Sequence, residues 1–168
     1  MLSVVNLLSI SLSIQKEVLA LFRLALVDDF LFLETSNMRR SSYKNIGYPL
    51  GCSKSELASA LGEGDFVLFN DTEKVGFIRI KAMFEGLAYL DMHLLNDNAD
   101  RAVEAITLWL SSEYDVGKYY VQLLPYETLE MDCLKRLGFN QEARLTKQLF
   151  VEGVYYDLLM MGSEDKRV

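Results

Sequence analysis

Histidine, tryptophan, proline and cysteine are scarce in this chain, with one His, one Trp, two Pro and two Cys among 168 residues. Cys52 and Cys133 are too few for a disulfide framework or a four-ligand zinc site, and His93 adds little to that set, so no metal site is expected. A reducing, cytoplasmic setting fits that cysteine usage. Positive charge is also short. Seventeen Lys and Arg stand against 24 Asp and Glu, a formal charge of −7, so no nucleic acid is expected as a partner, because backbone binding depends on neutralising phosphates with cations. An uninterrupted apolar run is missing too. Ile14–Leu33 is greasy, but Lys16, Glu17, Arg23, Asp28 and Asp29 break it, whereas a span needs about 20 predominantly apolar residues. No membrane partner is expected. The start of the chain lacks the basic flank and small-residue cleavage site of a secretory signal.

What is present is apolar material, 51% of residues, enough at this length for one domain with a sizeable core. We expect that domain over 1–162, with a short polar tail over 163–168. Leu2–Ser11 reads as a first strand, and Ile14–Leu33 as a helix with Val18, Leu21, Phe22 and Ala25 on one stripe. Leu19, Leu24, Leu26 and Val27 make its other face apolar as well. A helix apolar nearly all round is buried on both sides, either within the domain or at a subunit interface. A homodimer or a protein partner through this helix is therefore one expectation. Asn37–Gly51 is a polar loop in which Arg39, Arg40 and Lys44 interleave with Tyr43 and Tyr48. It reads as a solvated loop or as a seat for an anionic partner, and Arg39, Arg40 and Tyr43 are its candidate substrate-binding residues.

Ser53 and Glu56 have capping-box spacing, which starts a short helix that ends near Leu61 before Gly62 and Gly64. Asp65–Asn70, Val75–Met83 and Leu87–Leu95 then read as a meander turned at Asp71-Thr72 and Glu85-Gly86. In its last strand Leu87, Tyr89, Asp91 and His93 share one face, and Ala88, Leu90, Met92 and Leu94 the other. A helix over Asp100–Ser112, a strand over Tyr119–Leu124 and a helix from Tyr126 to Leu137 follow. Gly138 stands where a helix end needs positive φ, and Phe139 can fold back on the last turn. Gln148–Val151 and Val154–Met161 read as strands joined by the two-residue turn Glu152-Gly153. The result is an α/β (α+β) chain ordered β α α β β β α β α β β, a mixed twisted sheet of about seven strands flanked by about four helices.

That order, together with Leu134-Lys135-Arg136-Leu137-Gly138-Phe139 and the terminal run Phe150, Val151, Gly153, Tyr155 and Asp157, resembles the GNAT N-acetyltransferase superfamily. The likeness is greatest to the branch that acetylates ribosomal-protein N-termini and related amines. It implies a splay between the fourth and fifth strands that receives the pantetheine of acetyl-CoA or another acyl-CoA, with the pyrophosphate on the loop opening the next helix. Here that loop is Asp97-Asn98-Ala99-Asp100-Arg101-Ala102, without the usual glycines. Asn98, Ala99, Asp100, Arg101 and Ala102 are the implied cofactor-binding residues, and Asp97 and Asp100 are placed to cap the helix themselves. Where many members carry a tyrosine acid, this chain has Leu134, and Glu127 and Glu130 replace the branch's Asn and Ser. If the chain is an enzyme, its own residues offer as catalytic candidates His93 as base, Asp91 on the same strand face, and Tyr126 as acid. Two functions follow from the resemblance: an acyl-CoA-dependent transferase acting on an amine of a small molecule or protein, or a catalytically inactive binding or regulatory module on the same fold.

Overall fold

Among the described residues, alternating apolar and polar stretches build seven strands into one sheet. A computed structural model describes residues 21–26, 29, 64–151 and 153–164. Its elements are β1 (Phe22–Leu24), β2 (Asp65–Asn70), β3 (Glu73–Phe84), β4 (Leu87–Leu94), α1 (Asp100–Tyr114), β5 (Lys118–Leu123), α2 (Thr128–Arg136), β6 (Asn140–Val151) and β7 (Val154–Glu164). The sheet order is β1-β2-β3-β4-β5-β7-β6. Neighbours are antiparallel except β4 and β5, which run parallel because α1 carries the chain back across the sheet. Among the described residues there are seven strands, six of which fall on expected strands; β1 does not, β6 begins at Asn140 rather than Gln148, and β7 runs on through Glu164.

Two expectations need correction. The helix expected over Ile14–Leu33 is not helical at Phe22–Leu24, which pairs antiparallel with Phe66–Leu68 as an edge strand. Tertiary pairing outweighs the helical pattern there. Phe22 turns into the core against Phe66 and Trp109, with ring centroids 5.7 and 5.6 Å away, while Arg23 lies over the Phe69 ring. Among the described residues the chain has two helices rather than about four, and its order differs accordingly from the one expected. The expected strand Leu2–Ser11, the helix after Ser53, and Arg39, Arg40 and Tyr43 lie outside the described residues.

The core lies between α1 and one face of the sheet. Ala102, Val103, Ile106 and Leu110 of the helix join Phe66, Leu68, Ile78, Leu90 and Met92 in one buried cluster. At about 25 cal/mol for each Å² of apolar surface removed from water, such burial is the main stabilising contribution. The crossover is pinned at its far end. The Ser111 hydroxyl donates to the Val116 carbonyl at 2.8 Å and also contacts the Tyr119 hydroxyl, which donates to the Thr107 carbonyl at 2.6 Å. Tyr119 therefore belongs to the core, whereas Tyr120 faces the opposite side and stacks on Tyr89 at 5.2 Å.

Turn chemistry agrees with the sequence. Glu85 and Gly86 both have positive φ, 50° and 77°, between the paired residues Phe84 and Leu87. Helix α2 ends in a Schellman motif: the Phe139 N–H donates to the Leu134 carbonyl at 2.9 Å, the Gly138 N–H to the Lys135 carbonyl at 3.0 Å, and Gly138 has φ 87°.

Candidate functional site

Parallel pairing of β4 with β5 runs from Leu87 opposite Lys118 to Leu90 opposite Val121 and stops there. Asp91–Leu94 and Gln122–Leu123 continue without pairing to each other, so the two strands form a fork. Strands that part leave inner-edge N–H groups without ladder partners, and buried N–H groups need acceptors. Helix α2 and its N-cap residue Glu127 supply them. Glu130 Oε1 accepts from the Leu94 N–H at 2.8 Å, and Glu127 Oε2 accepts from the Leu124 N–H at 2.6 Å. Both glutamates are buried. Burial pushes the Glu130 carboxyl upward, but His93, the Leu94 N–H and the residue's own backbone outweigh it and hold the carboxyl below the usual range.

His93 lies on the β4 face that the alternation predicts, with its Nδ1 3.5 Å from Glu130 Oε1. On the same face Asp91 is 2% exposed. Lys81 Nζ lies 3.3 Å from its Oδ2, and among the described residues neither carboxylate oxygen accepts a hydrogen bond. Asp91 completes a row across three strands, since Asp65 is in register with Arg79 and Arg79 with Asp91. Arg79 grips Asp65 with two bonds, at 2.5 and 3.0 Å. Burial lowers the Arg79 pKa, and the charge of Asp91 works against that shift. Below the fork, the stacked Tyr89 and Tyr120 close this face.

The start of α1 faces a different demand. Its N-cap is Ala99, and no side chain caps the helix, so the expectation that Asp97 and Asp100 cap it is corrected. Asp100 turns instead to Arg136 at the end of α2, with bonds of 2.6 and 2.7 Å. That pair, the largest influence, holds the Asp100 carboxyl below its usual range. Arg136 also reaches the Asp97 carbonyl at 3.4 Å. Within this turn the Ala102 N–H donates to the Ala99 carbonyl at 3.0 Å, and ahead of it the Asn98 N–H donates to the Asn96 side chain at 3.0 Å. Only the Asp100 and Arg101 N–H groups therefore stand at the helix start for another acceptor, with the Arg101 and Asn98 side chains exposed beside them. Ala99 and Ala102 are buried. Burial, followed by Asp100, pushes the Cys133 thiol up to about 12, so it is no nucleophile near neutrality.

Of the residues singled out in the sequence, the structure places Asp91 and His93 on one strand face at the fork, and Asn98–Ala102 at an open helix start. Tyr126 packs edge-on against Tyr156 of β7, 5.3 Å between ring centroids. Leu134 is fully buried in the core. The sequence presents Glu130 only as a replacement for a residue usual in the branch, and its contact with His93 is not visible there. The signal was its spacing of three from Glu127, which puts both acids on one helix face.

No protein-family profile matches the chain, and no curated protein does. Solved structures do match. Ribosomal-protein-S5-alanine acetyltransferase from Vibrio fischeri aligns over 87% of this chain and 93% of its own at 15% identity, with a TM-score of 0.66. A ribosomal L7/L12 alpha-N-protein acetyltransferase in complex with coenzyme A aligns over 86% and 93% at 13% identity, TM-score 0.65. Mutant forms of the spermidine/spermine N-acetyltransferase of Vibrio cholerae align over 87% and 95% at 14% identity, TM-score 0.65. The fold of this chain is that of the GNAT acetyltransferases.

Proposed function

We propose that this chain is an acyl-CoA-dependent N-acyltransferase that moves an acetyl or longer acyl group onto an amine. The observation that supports this most directly is the fork after Leu90 and Val121, lying next to a helix start that no side chain caps. Unpaired N–H groups at a helix start attract anions, each favourable charge contributing roughly 0.3–1 kcal/mol. Asp100 would oppose a pyrophosphate there. Its bidentate pair with Arg136 neutralises that charge, and Arg101 adds a cation, so the residues present fit the group without the usual glycines.

When bound, acyl-CoA supplies a thioester whose acyl carbon an amine can attack. Asn98–Ala102 would hold the phosphates, and the fork would orient the extended arm. The incoming amine must lose a proton, and His93 is the group on β4 suited to take it near neutral pH. The likeness of the terminal hairpin to the ribosomal-protein branch makes a protein N-terminal amine the first acceptor to try, with a polyamine as the second.

The test is a thermal-shift titration with acetyl-CoA followed by a free-thiol release assay with both acceptors. Ligand at one hundred times its Kd stabilises the folded state by about 2.7 kcal/mol, a rise of roughly 5–10 °C for a chain of this size. A shift with acceptor-dependent thiol release supports the transferase. A shift with no release under any acyl-CoA or acceptor supports the inactive module, and no shift with acetyl-CoA or longer acyl-CoAs overturns the cofactor assignment itself.

A further inference from the structure

We infer that Glu130 is a positioning residue for His93, fixing the imidazole with its proton on Nδ1 and so presenting the Nε2 lone pair as the proton acceptor. This rests on the transferase reading above for the identity of the incoming proton, but not for the state of the ring.

The geometry carries it. Glu130 Oε1 is held by the Leu94 N–H at 2.8 Å, and the same oxygen lies 3.5 Å from His93 Nδ1. The carboxylate is therefore anchored by the backbone of the residue next to His93 and cannot follow the ring if it turns. Glu130 is 4% exposed and the His93 side chain 18%, so water screens the contact little. An ionised carboxylate has acceptor capacity only. Beside it, Nδ1 is stable as a donor, and a neutral ring protonated at Nδ1 has its lone pair on Nε2. An imidazole free in water favours the opposite tautomer, so the carboxylate's effect is a reversal that can be observed. When an amine gives up its proton, the N–H bond breaks with its electron pair left on the amine nitrogen, and the proton joins Nε2. The ring becomes an imidazolium whose charge Glu130 faces, and it returns to neutral by releasing a proton to water. Glu130 itself stays ionised throughout.

The chain's only histidine is His93, which makes the experiment unambiguous. In the uniformly nitrogen-15-labelled protein, long-range proton–nitrogen correlation spectra show one imidazole pattern. At a pH where the ring is neutral, the expected pattern is the Nδ1–H tautomer, and it reverts toward Nε2–H in E130A. A wild-type ring mainly protonated at Nε2 overturns the inference, whatever the activity assays show. If E130A fails to fold, the wild-type spectrum still decides. Kinetics give an independent arm. H93A should lose on the order of 10² to 10⁴ in turnover, E130A part of that, and the double variant no more than H93A alone, because residues acting as a unit are not additive. Fully multiplicative losses would show that Glu130 acts apart from His93. Failure of the transferase reading leaves the tautomer result standing, so the two failures are distinguishable.

Discussion

Gly76 is the residue through which the sheet's own packing reaches the site. It lies in β3 opposite Leu94, and a Cβ built there would sit 2.7 Å from the His93 carbonyl oxygen and 2.8 Å from Leu94 Cδ2. The leucine tip can rotate away. The carbonyl belongs to the ladder and cannot, and because ordinary contact begins near 3.4 Å, β3 and β4 must separate by about 0.7 Å. Overpacking of this kind costs about 1–3 kcal/mol. Losing glycine's freedom in the unfolded chain returns about 0.5–1 kcal/mol. The net for G76A is a destabilisation of about 1–2 kcal/mol, or a fall in Tm of about 2–8 °C. Gly117 is the matched control. A Cβ there meets nothing within 4 Å, so G117A should gain about 0.4–1 kcal/mol from the unfolded state alone. Calorimetry and urea titration at constant m value measure both variants. If G76A melts at or above the wild type, the close approach of β3 to His93 is refuted, and with it the rigid placement of that residue.

Leu134 is fully buried, so L134A should cost about 2–5 kcal/mol and L134M less than about 1.5, read from urea midpoints. Acid should weaken the fold through two carboxyls. Burial raises Asp29, but Arg23, Lys74 and the Leu26 N–H bring it down to about 2, and Glu130 is likewise held low. In each case the unfolded chain binds its proton first as pH falls, so the contribution is complete above the ordinary carboxyl range and disappears as pH drops through the folded value. D29N and E130Q should each flatten the acid limb of Tm against pH, and a limb unchanged in both would contradict the assignment. R136A leaves the Asp100 charge uncompensated beside the open helix start, so acetyl-CoA should bind several-fold more weakly in calorimetric titration with little change in melting. D100N should restore or improve binding in that background.

Much of the fold was legible because it depends on local chemistry. Gly138, Gly86 and Gly153 each take positive φ at 87°, 77° and 84°, and few residues other than glycine do so easily, so a helix stop and two hairpins could be read from single letters. The alternation Leu87 to Leu94 fixed which residues of β4 face the core. Phe22–Leu24 was misread because its letters suit a helix as well as a strand, and the choice depends on Phe66 and Trp109, which are distant in sequence. The site was legible in part. Asp91 and His93 follow from the period of a strand. The turning of Asp100 away from its own helix start does not, because it requires Arg136, which arrives there only when α2 packs beside α1.

The same reasoning explains why an acidic chain keeps Glu127 and Glu130 inside. A buried carboxylate is costly unless hydrogen-bonded, and an N–H at the end of a parted strand is costly unless it finds an acceptor. At the fork one oxygen of each carboxylate meets one such N–H. An N–H donated to an ionised acceptor is roughly twice as strong as one donated to a neutral group, so an acid at each position ties α2 to both parted strands more firmly than Asn or Ser would. The separation of β4 from β5 is then a defined opening with one helix fixed across it. Because Glu130 does this through the N–H of Leu94, the contact that holds the fork open also sets the distance from carboxylate to imidazole. Fold and proton chemistry meet in that one oxygen atom.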